Sequence, residues 1–321
     1  MIERLSQRLP RRAARILPAV LAASAFCLAS APAHAQLAVD GPGLPASVTP
    51  TNGESLWNIV SSAAIPTAPG FDSKNSQLRG YVMAFGGGTE SVFSLGELNP
   101  SFGGTNSAPY ISVSGDTYSL IDPNAGASGR DVSNLTQLVI GWVPAASGPG
   151  GLSSAVNLSG LTNSPGSYNL TALQNLTPVV QTTPTGGTVT YTGVPLFNFA
   201  NTSLPNSILD QVVGVTGTDG YTVAFSLAEL DPAYGGSLNN ILTYESTGND
   251  FTTGGDGIAR IVTPDDNKHG RWVSNVDSVV VELATPGPVP GAGLVSLGVL
   301  ILAGVGARTG EIGAALRRIF A

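Results

Sequence analysis

Ser91-Val92-Phe93-Ser94-Leu95-Gly96-Glu97-Leu98-Asn99-Pro100-Ser101-Phe102-Gly103-Gly104 is restated 132 residues later. The second version reads Val223-Ala224-Phe225-Ser226-Leu227-Ala228-Glu229-Leu230-Asp231-Pro232-Ala233-Tyr234-Gly235-Gly236. A sentence used twice implies a scaffold built twice, so the repeat governs every other reading of the chain. In Tyr221–Phe225 the large apolar residues alternate, which predicts a half-buried strand. Ser94-Leu95-Gly96-Glu97 and Ser226-Leu227-Ala228-Glu229 then each have the form of a capping box. In both, the serine caps an N–H and the glutamate reaches back, and Pro100 and Pro232 end the single turn that results. Capping accounts for both glutamates. An acid/base pair built from Glu97 and Glu229 is the alternative, and nothing in the sequence brings the two together.

The likeness extends outward from this core. Leu56, Ile59, Val60 and Ala63 form one helical stripe, and Gly53–Asn58 is echoed by Gly193–Asn198, so each unit is expected to open with a short helix. Each unit closes on an arginine that enters a β-branched strand. Arg130-Asp131-Val132-Ser133-Asn134-Leu135 leads to Leu138–Ile140, and Arg271-Trp272-Val273-Ser274-Asn275-Val276 leads to Val279–Val281. An ion pair or carbonyl clamp at the strand's start is the simplest role for both. Arg271 is also a candidate for a ligand phosphate. The offset between copies has grown to 141 here, which lengthens the preceding loop of the second unit. Ala145–Ser154, centred on Gly148-Pro149-Gly150-Gly151, reads as a linker.

Both ends read as addresses. Five arginines within residues 1–15, the apolar run Ile16–Ala29 and Ala33-His34-Ala35 describe an export signal cleaved after Ala35. The apolar block Gly291–Ala307 follows a Pro-rich linker and precedes Arg308, Arg317 and Arg318. As a helix it would rise about 25 Å, just short of a hydrocarbon core of roughly 30 Å. Residues 36–290 carry six Lys and Arg against nineteen Asp and Glu, a net charge of −13. Such a surface does not suit nucleic acid, which needs cations for its phosphates. Neutral glycans and cations remain compatible with it. The single cysteine, Cys27, and one of the two histidines fall within the export signal. Processing therefore leaves no disulfide, no thiolate and one histidine, His269, which disfavours zinc sites and a Ser-His-Asp triad. Asp250 and Asp256 in one acidic loop, and Asp265 and Asp266 in another, are weak calcium candidates without EF-hand spacing. Trp57, Trp142 and Trp272 read as core residues rather than a glycan-stacking platform.

Two resemblances add to this. The tripartite tail at about 286–318 is similar to the PEP-CTERM sorting signals of Gram-negative bacteria that make exopolysaccharide. It departs from them in having Pro288-Val289-Pro290 for Pro-Glu-Pro and a longer tail after the first arginine. The resemblance implies recognition and processing at the inner membrane, with exopolysaccharide or other surface proteins as further partners. Residues 156–283 resemble the oxidoreductase molybdopterin-binding domain of sulfite-oxidase type. The blocks that carry this are Val156–Gly160, Leu170–Leu173, Tyr191–Leu196, Asp219–Pro232 and Val262–Val276; the first unit matches from about Gly53. In that family a cysteine holds molybdenum in a loop after the strand equivalent to Val179–Thr183. Here the strand passes directly to Pro184-Thr185-Gly186-Gly187.

The expected fold is therefore α+β, with two β-rich mixed modules of sulfite-oxidase type related by internal duplication. The expected boundaries are a signal peptide at 1–35, a reduced first module at 36–144, a linker at 145–155, a second module at 156–284 and a sorting tail with a membrane helix at 285–321. The expected function is a non-catalytic binding or structural role at the cell surface or in the matrix, with no catalytic residue and no cofactor. The alternative is an oxidoreductase-like protein that retains a molybdopterin without its cysteine ligand, and a third possibility is a small solute bound between the modules.

Overall fold

The computed structural model describes residues 36–41, 46–63, 76–103, 108–126, 129–144, 146–183, 189–203, 208–247, 249–251, 255 and 257–285. The export signal and the apolar block of the tail lie outside the described residues. Among the described residues, no helix is long and apolar enough to cross a membrane.

The first half runs β1 (Leu37–Asp40), β2 (Ala46–Val48), β3 (Glu54–Ser55), α1 (Leu56–Ala63), β4 (Gly80–Gly86), β5 (Thr89–Ser94), α2 (Leu95–Leu98), β6 (Tyr110–Ser114), β7 (Thr117–Ile121) and β8 (Val132–Trp142). Strand β8 is the hub. It lies parallel to β1, with Val39 opposite Leu138, and antiparallel to β4, with Val82 opposite Ile140. Near its start it pairs with β7, and β2, β5, β6 and β3 complete an eight-stranded sheet.

The second half runs β9 (Val156–Gly160), β10 (Gly166–Tyr168), α3 (Leu170–Gln174), β11 (Val179–Thr183), β12 (Val189–Pro195), β13 (Gln211–Gly217), β14 (Thr222–Ser226), α4 (Leu227–Leu230), β15 (Ile241–Ser246), β16 (Asn249–Asp250), β17 (Arg260–Val262) and β18 (Val276–Leu283). The order β10-β9-β18-β13-β14 matches β2-β1-β8-β4-β5, with β9 parallel to β18 and β13 antiparallel to it. Likewise β12-β15-β17 matches β3-β6-β7. The halves differ where the offset grows. Strand β7 follows β6 after two residues and stays paired to β8, whereas β17 follows β15 only after a longer segment that carries β16, and lies in a separate sheet. Both closing signatures place their asparagine, Asn134 and Asn275, in the left-handed region that asparagine tolerates better than most side chains.

The described residues are β-rich: among them α1 spans eight residues and the other α-helices five or fewer. The helix expected at 193–198 is instead the end of β12 and a 3-10 turn, Leu196–Phe199. Phe197, Asn198 and Phe199 are weak helix formers, and Ala200 leaves to bridge Thr162.

Leu56, Val82, Phe93, Leu98, Leu138 and Ile140 belong to the core of the first half, and Val213, Val223, Phe225, Leu230 and Val279 to that of the second. A third cluster lies between the sheets, where Tyr81, Met83, Val92 and Val139 meet Val212 and Ala224. This seam corrects the half-buried reading of β14. All five of its residues are buried. Val223 and Phe225 enter one core while Ala224 fills the other, because a second sheet covers the face expected to meet water.

Each half also reaches across the seam. Val143, just past β8, packs on Gly214 of β13, where a Cβ would come within 2.6 Å of Cγ1 of the valine. Thr285, just past β18, donates its N–H to the Tyr81 hydroxyl (3.1 Å), which donates back to the Thr285 carbonyl (2.8 Å). The expected linker is laid down on the β13–β14 turn: Gly150 N–H donates to Thr218 O, and Thr218 Oγ1 donates to Gly151 O.

Candidate functional site

The two capping boxes form as expected. Glu97 N–H donates to Ser94 Oγ (3.0 Å) and Ser94 N–H to Glu97 Oε1 (2.7 Å). In the second half Glu229 N–H donates to Ser226 Oγ (3.2 Å) and Ser226 N–H to Glu229 Oε1 (2.9 Å). The sequence does not disclose that the boxes interlock. Ser226 Oγ donates to Glu97 Oε1 of the opposite half (2.9 Å), and the Ser94 hydroxyl bonds to the Glu229 carboxyl. Ser226 also accepts from Arg130 Nη2 at 3.2 Å, so its one donor and two acceptor positions are all used. The glutamates are thus both caps and neighbours.

Each box is closed by the arginine of its own half. Arg130 grips Glu97 with both terminal nitrogens, at 3.0 and 2.9 Å, and donates to Val92 O at 2.6 Å. Asp122 lies 3.5 Å away. Arg271 sends Nη1 to Glu229 (2.7 Å), and Nε and Nη2 to the two oxygens of Asp266 (2.8 and 2.6 Å). The guanidiniums lie over Phe93 and Phe225, the same position of the repeat, at 4.0 and 4.9 Å from the ring centres. Gly96 and Gly103 leave room for Arg271; a Cβ on Gly96 would collide with its Cδ.

Two cations and four carboxyls therefore share a largely buried cluster. Burial pushes Glu229 up to about 7; Arg271 opposes this and the charge on Glu97 adds to it. Burial also raises Asp122, against the pull of Arg130 and the Asn124 N–H. Burial alone would lower both arginines. For Arg271, Glu229 and Asp266 reverse the sign; for Arg130, Glu97, Asp122 and Glu229 do.

Beside it opens a polar cleft of about 360 Å³, lined from both halves by Glu97, Asp122, Asn124, Arg130, Glu229 and Tyr234. Of the residues singled out in the sequence, Glu97, Arg130 and Glu229 line this cleft, and Arg271 and Asp266 belong to the cluster beside it. Arg271 has its Nε, Nη1 and Nη2 donors directed at carboxylates and is only 3% exposed. That geometry suits the clamp role and leaves the phosphate role without a presenting face. Asp266 is its bidentate partner, so both carboxylate oxygens are engaged by a cation rather than turned toward calcium. Asp265 points the other way and accepts from Ser237 and Asn239. Asp250 lies in β16 opposite Glu245, its side chain outside the described residues, as is Asp256 altogether. No group of three His, Cys, Asp or Glu side chains suited to a metal ion occurs among the described residues. Trp57, Trp142 and Trp272 are half-buried against the cores, and His269 stacks on Trp272 at 3.9 Å. Sequence reasoning missed Asp122 and the pairing of Asp266. The available signal was an aspartate upstream of each repeated arginine, at 122 before 130 and at 266 before 271.

The residues lining this cleft do not fit a molybdopterin. Its phosphate calls for open cationic donors, whereas both arginines of the cluster are closed by carboxylates and three carboxyls line the cleft. No protein-family profile matches the chain, and no curated protein does. Among solved structures, the sulfane dehydrogenase SoxCD from Paracoccus pantotrophus is similar, with a TM-score of 0.31 and 14% identity over 53% of this chain. The match spans 48% of that structure, about half its length.

Proposed function

We propose that the chain is a non-catalytic exported protein of a bacterial envelope or matrix, sorted through its C-terminal tail, with a binding or structural role. In this reading residues 36–144 and 156–284 are two copies of one duplicated module fused into a single body. The equal strand orders support the duplication. The observation that carries the reading is the interlocked cluster. Its arginines, glutamates and serines are consumed in capping and in joining the halves.

Protein purified from the periplasm tests this directly. The expected material begins at Gln36, contains no molybdenum and turns over neither sulfite nor a sulfoxide. Stoichiometric molybdenum or turnover of either compound overturns the reading.

A further inference from the structure

We propose that the seam between the halves is a proton-operated latch, closed when the Glu229 carboxyl carries a proton and loosened when that proton is lost. The geometry supplies the mechanism. Glu229 shares Arg271 with Asp266, and Asp266 holds that guanidinium by two hydrogen bonds against one for Glu229. Arg130, the other nearby cation, is gripped by Glu97 and flanked by Asp122. An ionised Glu229 therefore adds a fourth negative charge to a buried group that already matches two cations with three carboxyls. That charge faces Glu97 directly across the crossed serines. Asp231 follows α4 and turns its carboxylate to the Ala233 N–H. On the strand and turn packed against α4, burial and then the charge of Asp210 raise Glu90, burial raises Asp210, and neither group acts on Glu229.

The sign follows from the folded-state value of about 7 against 4.5 for an ordinary glutamate. The contribution is fully present below about pH 4.5, declines as pH climbs toward 7, and is level above that. Within the window, loss of one proton multiplies the opening constant by about ten per pH unit.

Hydrogen exchange on the full chain at pH 5 to 8, corrected for intrinsic rates, reads this opening. Protection of the Ser226 and Glu229 amides is expected to fall by about tenfold per unit up to pH 7, while the Gln181 amide in the β11–β12 ladder stays constant. Glu229→Gln should flatten the seam's response. A second measurement needs no variant: the carboxyl carbon resonance of Glu229 should titrate near 7. A Glu229 midpoint in the usual carboxylate range, or seam protection unchanged across the range, overturns the proposal.

Discussion

Gly96 shows how one missing methyl carries a contact between distant parts of the chain. It lies in α2, where alanine would gain roughly 1 kcal/mol of helix propensity over glycine. Its absent Cβ is the space through which the buried Arg271 side chain passes. Overpacking a closed site costs about 1–3 kcal/mol, so Gly96→Ala should lower the urea midpoint despite the better helix former. A rise in the midpoint would show that Arg271 moves aside freely. Arg271→Met is expected to be harsher. It strands Glu229 and Asp266 without their cation, and breaking a buried pair from one side costs about 3–5 kcal/mol. The sequence revealed that an arginine recurs at the head of a long strand, and the clamp reading was available from that alone. The partners were hidden, because Glu229 and Asp266 lie 42 and 5 residues away and only the folded loop brings them to one guanidinium.

At the level of elements, the one-turn helices α2 and α4 were legible because a capping box is local: four residues contain both of its hydrogen bonds. Their crossing was not, since Ser226 and Glu97 are 129 residues apart. The same limit misread β14. Alternation tells which side chains share a face, but Ala224 meets its neighbours only when the other sheet arrives. The crossing gives Ser226→Ala a distinctive expected cost. Loss of the cap accounts for about 1 kcal/mol, and loss of a hydrogen bond to a charged group adds about 1.5–3 kcal/mol. Asn169→Ala, which removes only the exposed cap of helix α3, should cost about 1 kcal/mol. Equal shifts in the two variants' urea midpoints would mean that the crossed bond contributes nothing.

For the molecule as a whole, the two halves have similar strand orders, and a linker read from the sequence leaves open whether they stand apart. The seam joins them, through Tyr81, Met83 and Val92 on one side and Val212 and Ala224 on the other. Unfolding should therefore be a single cooperative transition, with tryptophan fluorescence and circular dichroism coinciding. Two separated transitions would show that each half stands alone. The hydroxyl of Tyr81, clasping both backbone groups of Thr285, adds a mechanical consequence. Tension applied to the chain beyond Thr285 meets this clasp before it reaches the ladder of β18. The load then passes through the Tyr81 side chain into β4 of the first half instead of falling on β18 alone.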